Sequence, residues 1–197
     1  MQMTPRALLG ILILSCAACM PARSPEPQPA NDPIPNRAPT APAAADSERP
    51  RAPLTGNWRA SESTDEQARR LSAIDAATES LGRFQQGMAR SRLADNTSPA
   101  DAISIDLAES RVLLDLDRRR FELPLGGPPV ELTEEEQTIR LQAELEGEAL
   151  RVEARTDSSV RTTTYRPNGD QLLVEVSLTS DKLTVPLEYA VTYRRAE

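Results

Sequence analysis

The fold of this chain is decided by residues 139–154, IRLQAELEGEALRVEA. Apolar side chains alternate with charged or amide side chains in both halves of this stretch, and a period of two places the apolar side chains of a strand on one face. Glu146-Gly147 separates the two halves and is typical of a turn. The stretch therefore predicts an antiparallel hairpin with one apolar face and one charged face.

The same alternation continues on both sides of this hairpin. Further apolar runs cover residues 103–107, 112–116, 121–125, 172–178 and 183–193. Turn signals between runs are Asp157-Ser158, Asn168-Gly169 and Ser180-Asp181. Connections this short force neighbouring strands to be antiparallel. With a short first strand at residues 56–59, the sequence predicts a meander of eight or nine strands.

A sheet with one apolar face must curl around its own core or lie on a helix. About eight antiparallel strands close around an interior that holds side chains or one small ligand. Charged residues on the outward face exclude a membrane-spanning barrel, whose outer face is apolar. We therefore expect a mainly β fold with one long α-helix, in which an antiparallel meander closes into a barrel.

The long helix is predicted directly after the first strand. Thr64-Asp65-Glu66-Gln67 is typical of a capping box, in which the Thr64 hydroxyl accepts from the Gln67 amide. Apolar residues then recur every three or four positions, which predicts one helix over residues 65–93. These residues are Leu71, Ile74, Ala77, Leu81, Phe84 and Met88. Gly82 and Gly87 weaken a single straight helix. Because this stripe is too apolar to face water, we expect it on the sheet or across the barrel mouth.

Residues 1–19 have the pattern of a secretory signal. Arg6 supplies a positive charge, and residues 7–14 form an apolar run interrupted only by Gly10. As a helix this run spans only about 12 Å, well short of the ~30 Å hydrocarbon core of a bilayer. We therefore expect a signal segment and not a membrane span.

Leu12-Ile13-Leu14-Ser15-Cys16 resembles the lipobox of bacterial lipoproteins, in which apolar residues and a small residue precede the acylated cysteine. The resemblance implies that Cys16 carries the lipid, although Leu14 replaces the usual smaller residue. Cys19 is a second candidate, and a signal peptide cut after Ala17 is the alternative. Ala17, a residue other than aspartate after the cysteine, implies a lipid anchor in the outer membrane that faces the periplasm.

Residues 20–53 are predicted to be a tether. Ten of the seventeen prolines lie there, with no aromatic residue and with Ile34 as the only isoleucine. Such a segment buries too little apolar surface to offset its ordering entropy. The remaining residues 54–197 have the size of one domain. This predicted domain contains no cysteine, so a disulfide framework is excluded.

Several chemistries are missing from the sequence. It contains no histidine, and both cysteines lie in the predicted signal. Histidine-dependent nucleophile pairs, thiol catalysis and the usual zinc and haem sites are therefore excluded. Gly126-Gly127 lacks the lysine and the helix of a phosphate-binding loop. The net charge of −7 argues against nucleic acid. We expect neither an enzyme nor a bound cofactor.

Two acidic groups remain as candidates for a site. Glu134-Glu135-Glu136 lacks the alternating spacing of a calcium loop and is interpreted as a solvated charge run. Asp115 and Asp117, with Glu122 on the facing strand, are interpreted as the polar face of a hairpin, and an acid–base pair is the alternative. The neighbouring Arg118-Arg119-Arg120 indicates a self-neutralising surface, and contact with anionic headgroups or lipopolysaccharide is the alternative.

Gly56-x-Trp58 at the start of a strand, followed by an antiparallel meander, is similar to the opening of lipocalins and lipocalin-like bacterial domains. Residues 187–195, LEYAVTYRR, resemble the close of lipocalin-like lipoproteins. A helix after the first strand departs from the lipocalin pattern, which places it after the last. The resemblance implies a small apolar or amphipathic ligand inside the barrel. The expected wall of its site is Trp58, Phe84, Met88, Phe121, Tyr189 and Tyr193. Core packing is the alternative for Tyr189 and Tyr193.

Two functions of different classes follow from these features. One is a membrane-tethered, non-catalytic periplasmic lipoprotein whose barrel binds a small apolar or amphipathic ligand. The other is a structural or interaction protein of the cell envelope with a filled barrel core. The sequence does not identify its protein partner. A cavity of ~300 Å³ or more favours binding, and a filled core favours the structural protein.

Overall fold

The computed structural model describes residues 53–117, 119–134 and 137–196. The predicted signal at residues 1–19, including Cys16, and residues 20–52 of the predicted tether lie outside the described residues.

The described residues form ten strands and two helices. The strands are β1 (Gly56–Ala60), β2 (Ala102–Leu107), β3 (Arg111–Leu116), β4 (Arg119–Pro124), β5 (Val130–Glu134), β6 (Gln137–Glu146), β7 (Ala149–Arg155), β8 (Ser159–Asn168), β9 (Gln171–Ser180) and β10 (Leu187–Arg195). The helices α1 (Thr64–Thr78) and α2 (Arg83–Asn96) follow β1. The predicted hairpin is β6–β7, with Leu145 opposite Leu150.

The strands form one antiparallel sheet in the order β4-β3-β2-β1-β10-β9-β8-β7-β6-β5. This order is the predicted meander with its first and last strands side by side, where Trp58 lies opposite Arg195. β5 and β8 are the strands that apolar alternation did not reveal. β5 is only five residues long, and β8 carries Arg161 and Thr163 at positions that share a face with buried Tyr165.

The two edge strands, β4 and β5, approach each other, so the sheet is a nearly closed barrel. Just after β4, Leu125 pairs with Ala143 on β6. There the Gly126 amide donates to the Ala143 carbonyl over 2.9 Å. At the other end of the seam, Arg119 Nη1 lies 2.9 Å from Glu134 Oε1. Among the described residues, one short bridge and one ion pair thus join the barrel across its seam.

The single long helix predicted over residues 65–93 is wrong, because two helices occupy this region. The Leu81 amide bonds to the Thr78 carbonyl over 3.1 Å and closes the end of α1 in a tight turn. Gly82 is then extended, with φ −57° and ψ 146°, and precedes the first residue of α2. Ser80 in this turn lies 3.0 Å from Thr184, hydroxyl to hydroxyl, in the β9–β10 connection.

The helix cap lies one residue earlier than the predicted capping box. Ser63 Oγ accepts from the Glu66 amide over 3.2 Å, and Glu66 Oε2 accepts from the Ser63 amide over 2.7 Å. Glu66 Oε1 also accepts from the Thr192 hydroxyl over 2.6 Å, which joins α1 to β10. Partial burial raises the pKa of Glu66, but the hydrogen bonds from Ser63 and Thr192 outweigh it, so its pKa is lowered overall.

The apolar faces of the strands fill most of the barrel. The largest fully buried side chains there are Trp58, Ile105, Leu123, Ile139, Leu150 and Leu172. A second cluster joins the helices to β9 and β10 and consists of Ile74, Ala77, Leu93, Leu178 and Leu187. The described residues therefore hold one core inside the barrel and another beneath the helices.

The two ends of the barrel differ. The helical end carries α1 and α2, together with the β3–β4 and β7–β8 connections. The turn end carries the tight turns at Gly147 and Gly169, whose positive φ values of 65° and 61° require glycine or a similarly permissive residue. Here Arg195 packs 4.3 Å from the centre of the Trp58 ring and donates to the Pro53 carbonyl over 2.8 Å. The chain therefore enters the barrel at the turn end.

Candidate functional site

A cavity of about 100 Å³ opens inside the barrel at its helical end. Asn96 at the end of α2 and Ser98 just after it form one side. The opposite side is formed by inward side chains of strands β3, β4, β6, β7 and β8. The helix pair therefore lies beside the cavity and does not plug the barrel.

Most of the cavity wall is apolar. Leu114, Leu116, Phe121, Leu123, Leu141, Val152 and Ala154 line it. Their positions follow from the strand registers, because Leu114 lies opposite Phe121 and Leu141 opposite Ala154. Phe121 is half-buried, whereas Leu123 below it is almost fully buried. The wall suits an apolar group.

Two charged side chains interrupt this wall. Asp117 has a positive φ of 47° in the β3–β4 turn. Its carboxylate accepts from the Asp101 and Ala102 amides over 3.1 and 3.0 Å. Asp117 thus holds the start of β2 in place, and each of its two carboxylate oxygens accepts one of these hydrogen bonds. Arg161 on β8 supplies a cation within the wall.

Tyrosines lie close to Arg161 and stay protonated. Burial raises the pKa of Tyr165 to about 12, against the opposing effect of the Arg161 charge. Burial likewise raises the pKa values of Tyr189 and Tyr193. Near neutral pH these side chains therefore present uncharged hydroxyls beside a guanidinium.

Of the six predicted wall residues, Phe121 lines this cavity. Trp58 and Tyr193 are buried in the barrel core, and the Trp58 indole donates to the Leu54 carbonyl over 3.2 Å. Tyr189 is half-buried on β10 and packs against both cores. For Tyr189 and Tyr193 the core-packing alternative describes the observed position.

The structure corrects the predicted placement of Phe84 and Met88. Both lie on α2 and are exposed, at 82% and 45%. Because Ala89 and Leu93 are the buried residues of α2, its outward side carries Phe84 and Met88. Leu71 of the predicted stripe is exposed as well, whereas Ile74 is fully buried.

Arg161, Thr163 and Tyr165 are wall residues on β8, a strand that apolar alternation did not reveal. The sequence pattern that could have identified these residues is the period of two along β8, because Arg161, Thr163 and Tyr165 alternate with outward residues. Apolar alternation does not detect this strand, because two of these three inward side chains are polar.

Three of the acidic candidates, Glu122, Asp115 and Glu134, are engaged in ion pairs, whereas Glu135 and Glu136 lie outside the described residues. Glu122 Oε1 lies 2.6 Å from Arg111 Nη1, and Asp115 lies 3.6 Å from Arg120. Glu134 pairs with Arg119 across the seam. Within residues 53–117, 119–134 and 137–196, no cluster of three or more potential metal ligands forms. In the same ranges no helix is long and apolar enough to cross a bilayer.

No family model matches this chain. No curated protein matches it either. Its structure is similar to a secretory abundant heat soluble protein from Ramazzottius varieornatus, at 14% identity and a TM-score of 0.48, over 73% of this chain and 96% of that one. It is also similar to a Schistosoma mansoni fatty acid binding protein solved with arachidonic acid, at 13% identity and a TM-score of 0.45, over 74% and 98%. Similarity at this level does not indicate a shared ligand.

Proposed function

We propose that this barrel is a non-catalytic binding module that holds the apolar part of a small amphipathic molecule at its helical end. The observation that carries the proposal is the interior cavity, where a mostly apolar wall also includes Arg161 and the neutral hydroxyl of Tyr165. An apolar group gains from leaving water in such a wall, and a few convergent polar groups orient the rest of the ligand.

The size of the cavity limits the ligand. Small-molecule sites usually measure about 300–1,000 Å³, and this cavity measures about 100 Å³. An apolar cavity of roughly 150 Å³ holds benzene. This cavity is smaller, so the buried part of the ligand is a short alkyl segment.

The experiment compares a variant that fills the cavity with a matched surface variant. Ala154 lines the cavity, so Ala154→Met places a larger side chain in it. Ala102 is exposed on β2, so Ala102→Met makes the same chemical change outside. With an environment-sensitive short-chain fatty-acid probe, we expect Ala154→Met to weaken binding about tenfold or more. Ala102→Met should leave binding unchanged. Equal probe binding by both variants and the parent chain contradicts this site.

The second candidate is a structural or interaction protein of the cell envelope. The small cavity favours it, because a barrel filled by Trp58, Ile105 and Leu150 leaves little room for a ligand. This candidate predicts that no probe binds to the parent chain and that the protein carries no small molecule when it is purified from its host.

We further propose that the protein is a lipoprotein whose lipid is attached at Cys16 and whose location is the outer membrane, facing the periplasm. Leu12-Ile13-Leu14-Ser15 before Cys16 supports this proposal, and two or more acyl chains give stable anchoring. Cys16→Ala should release the protein from the membrane fraction or leave the precursor uncut, and Cys19→Ala should do neither. The reverse result assigns the lipid to Cys19, and no effect of either change contradicts the anchor.

A further inference from the structure

The outward side of α2 presents two large apolar side chains that the fold does not use. Phe84 and Met88 are four residues apart, which places them one above the other on one face of the helix. Phe84 is 82% exposed. The buried residues of α2 are Ala89 and Leu93, on its other side. Neither core of the described residues includes Phe84 or Met88.

Basic residues flank this apolar pair. The helix RFQQGMARSRLADN contains three arginines and the single acid Asp95, within a chain of net charge −7. Arg90 is paired with Asp75 over 2.8 Å. Arg83 and Arg92 form no ion pair with any other residue of the described ranges. Arg83 next to Phe84, and Arg92 one turn after Met88, are therefore available to an anionic partner.

We propose that the outward face of α2 docks on a membrane surface that contains anionic lipids. Phe84 and Met88 enter the boundary between headgroups and acyl chains, and Arg83 and Arg92 contact lipid phosphates. An interfacial helix combines these two features, with apolar side chains on one face and arginines at its border. A second copy of the chain is a poorer occupant, because a symmetric contact brings the same arginines together.

The length of the chain permits this orientation. α2 lies at the helical end, whereas residue 53 lies at the turn end. A ten-residue strand is about 33 Å long, and residues 20–53 span up to about 100 Å when extended. A chain anchored at Cys16 can therefore turn its helical end back to the bilayer. Only this orientation relative to the bilayer depends on the proposed anchor at Cys16. The exposure and the charge of α2 do not depend on it.

The test uses the full chain with Cys16→Ser and Cys19→Ser, so that no acyl chain is attached in any sample. Phe84→Trp adds an indole at the proposed contact, and the signal of buried Trp58 is subtracted using the parent chain. Vesicles of phosphatidylglycerol with phosphatidylethanolamine, with and without brominated acyl chains, are compared with phosphatidylcholine vesicles. Glu148→Trp at the turn end is the matched reporter.

We expect the indole introduced at position 84 to shift to shorter wavelength and to be quenched by brominated chains on the anionic vesicles. The indole at position 148 should show neither effect. Met88→Ser, added to the reporter chain, should lower the docked fraction about five- to tenfold. Arg83→Gln with Arg92→Gln should do the same on anionic vesicles only. Gln85→Ser, an exposed change on the same helix, should have no effect.

Two results overturn the proposal. One is vesicle binding without quenching at position 84, which assigns the contact to another segment, such as the apolar run at residues 7–14. The other is an indole shift that grows with protein concentration in the absence of vesicles, which assigns the face to a second copy. Probe uptake by the barrel is measured on the same chains. It should not change, so failure of docking and failure of ligand binding are separate outcomes.

Discussion

Ile74→Ala and Phe84→Ala should affect stability very differently, although both residues belong to the apolar stripe seen in the sequence. Ile74 is fully buried in the cluster that joins the helices to β9 and β10, where it packs with Leu93, Leu178 and Leu187. Its truncation removes apolar burial and leaves a cavity, at a cost of about 2–5 kcal/mol. Phe84 is 82% exposed, so its truncation should cost less than about 0.5 kcal/mol.

The assay is urea and thermal unfolding, followed by circular dichroism. For a chain of this size each kcal/mol lowers the melting temperature by about 2–4 °C. Ile74→Ala should therefore lower it by about 4–20 °C, and Phe84→Ala by less than about 2 °C. A Phe84→Ala loss as large as that of Ile74→Ala contradicts the exposed position of Phe84, because it requires the Phe84 ring to be packed.

Three further predictions concern the cap, the tyrosines and the seam. Ser63→Ala should cost about 1 kcal/mol in urea unfolding and Thr64→Ala much less; the reverse order contradicts the observed cap. The pKa of Tyr165 is raised to about 12. Its contribution to the free energy of unfolding should therefore be fully present below about pH 10, the pKa of tyrosine in the unfolded chain, and should be lost as the pH rises toward 12. Tyrosinate absorbance and circular dichroism check this, and phenol ionisation near pH 10 without unfolding contradicts it. Arg119→Gln should lower the free energy of unfolding by less than about 1 kcal/mol, because its ion pair with Glu134 is about one-third exposed. Added salt should reduce this loss in the same unfolding assay, and a loss that does not depend on salt contradicts the prediction.

The barrel was predictable because its strands carry a local signal. Residues 139–154 alternate strictly, and the predicted Gly147 and Gly169 turns occur as turns. β8 was less visible because its inward positions include Arg161 and Thr163, whose place in the barrel depends on pairing with distant β7 and β9. Apolar alternation predicts which face of a strand points inward, but it does not predict which polar side chains also lie on that face.

The helical region shows the limit of periodicity more clearly. Spacing by three or four placed Ile74 and Phe84 on one stripe, but the stripe crosses the break at Gly82, where α2 begins a new direction. After that break the residues that face the core are Ala89 and Leu93, and Phe84 turns to solvent. Phe84 and Met88 are exposed on α2 for this reason, whereas Phe121, which lies in a predicted strand, lines the cavity.

Native mass spectrometry of the full chain purified from its own host tests ligand binding by the barrel most directly. We expect a population with one added small molecule per chain, which is absent from Ala154→Met and retained by Ala102→Met. A parent chain that carries no adduct, and acquires none when incubated with the short-chain fatty-acid probe, contradicts the binding module and leaves the filled-core structural protein.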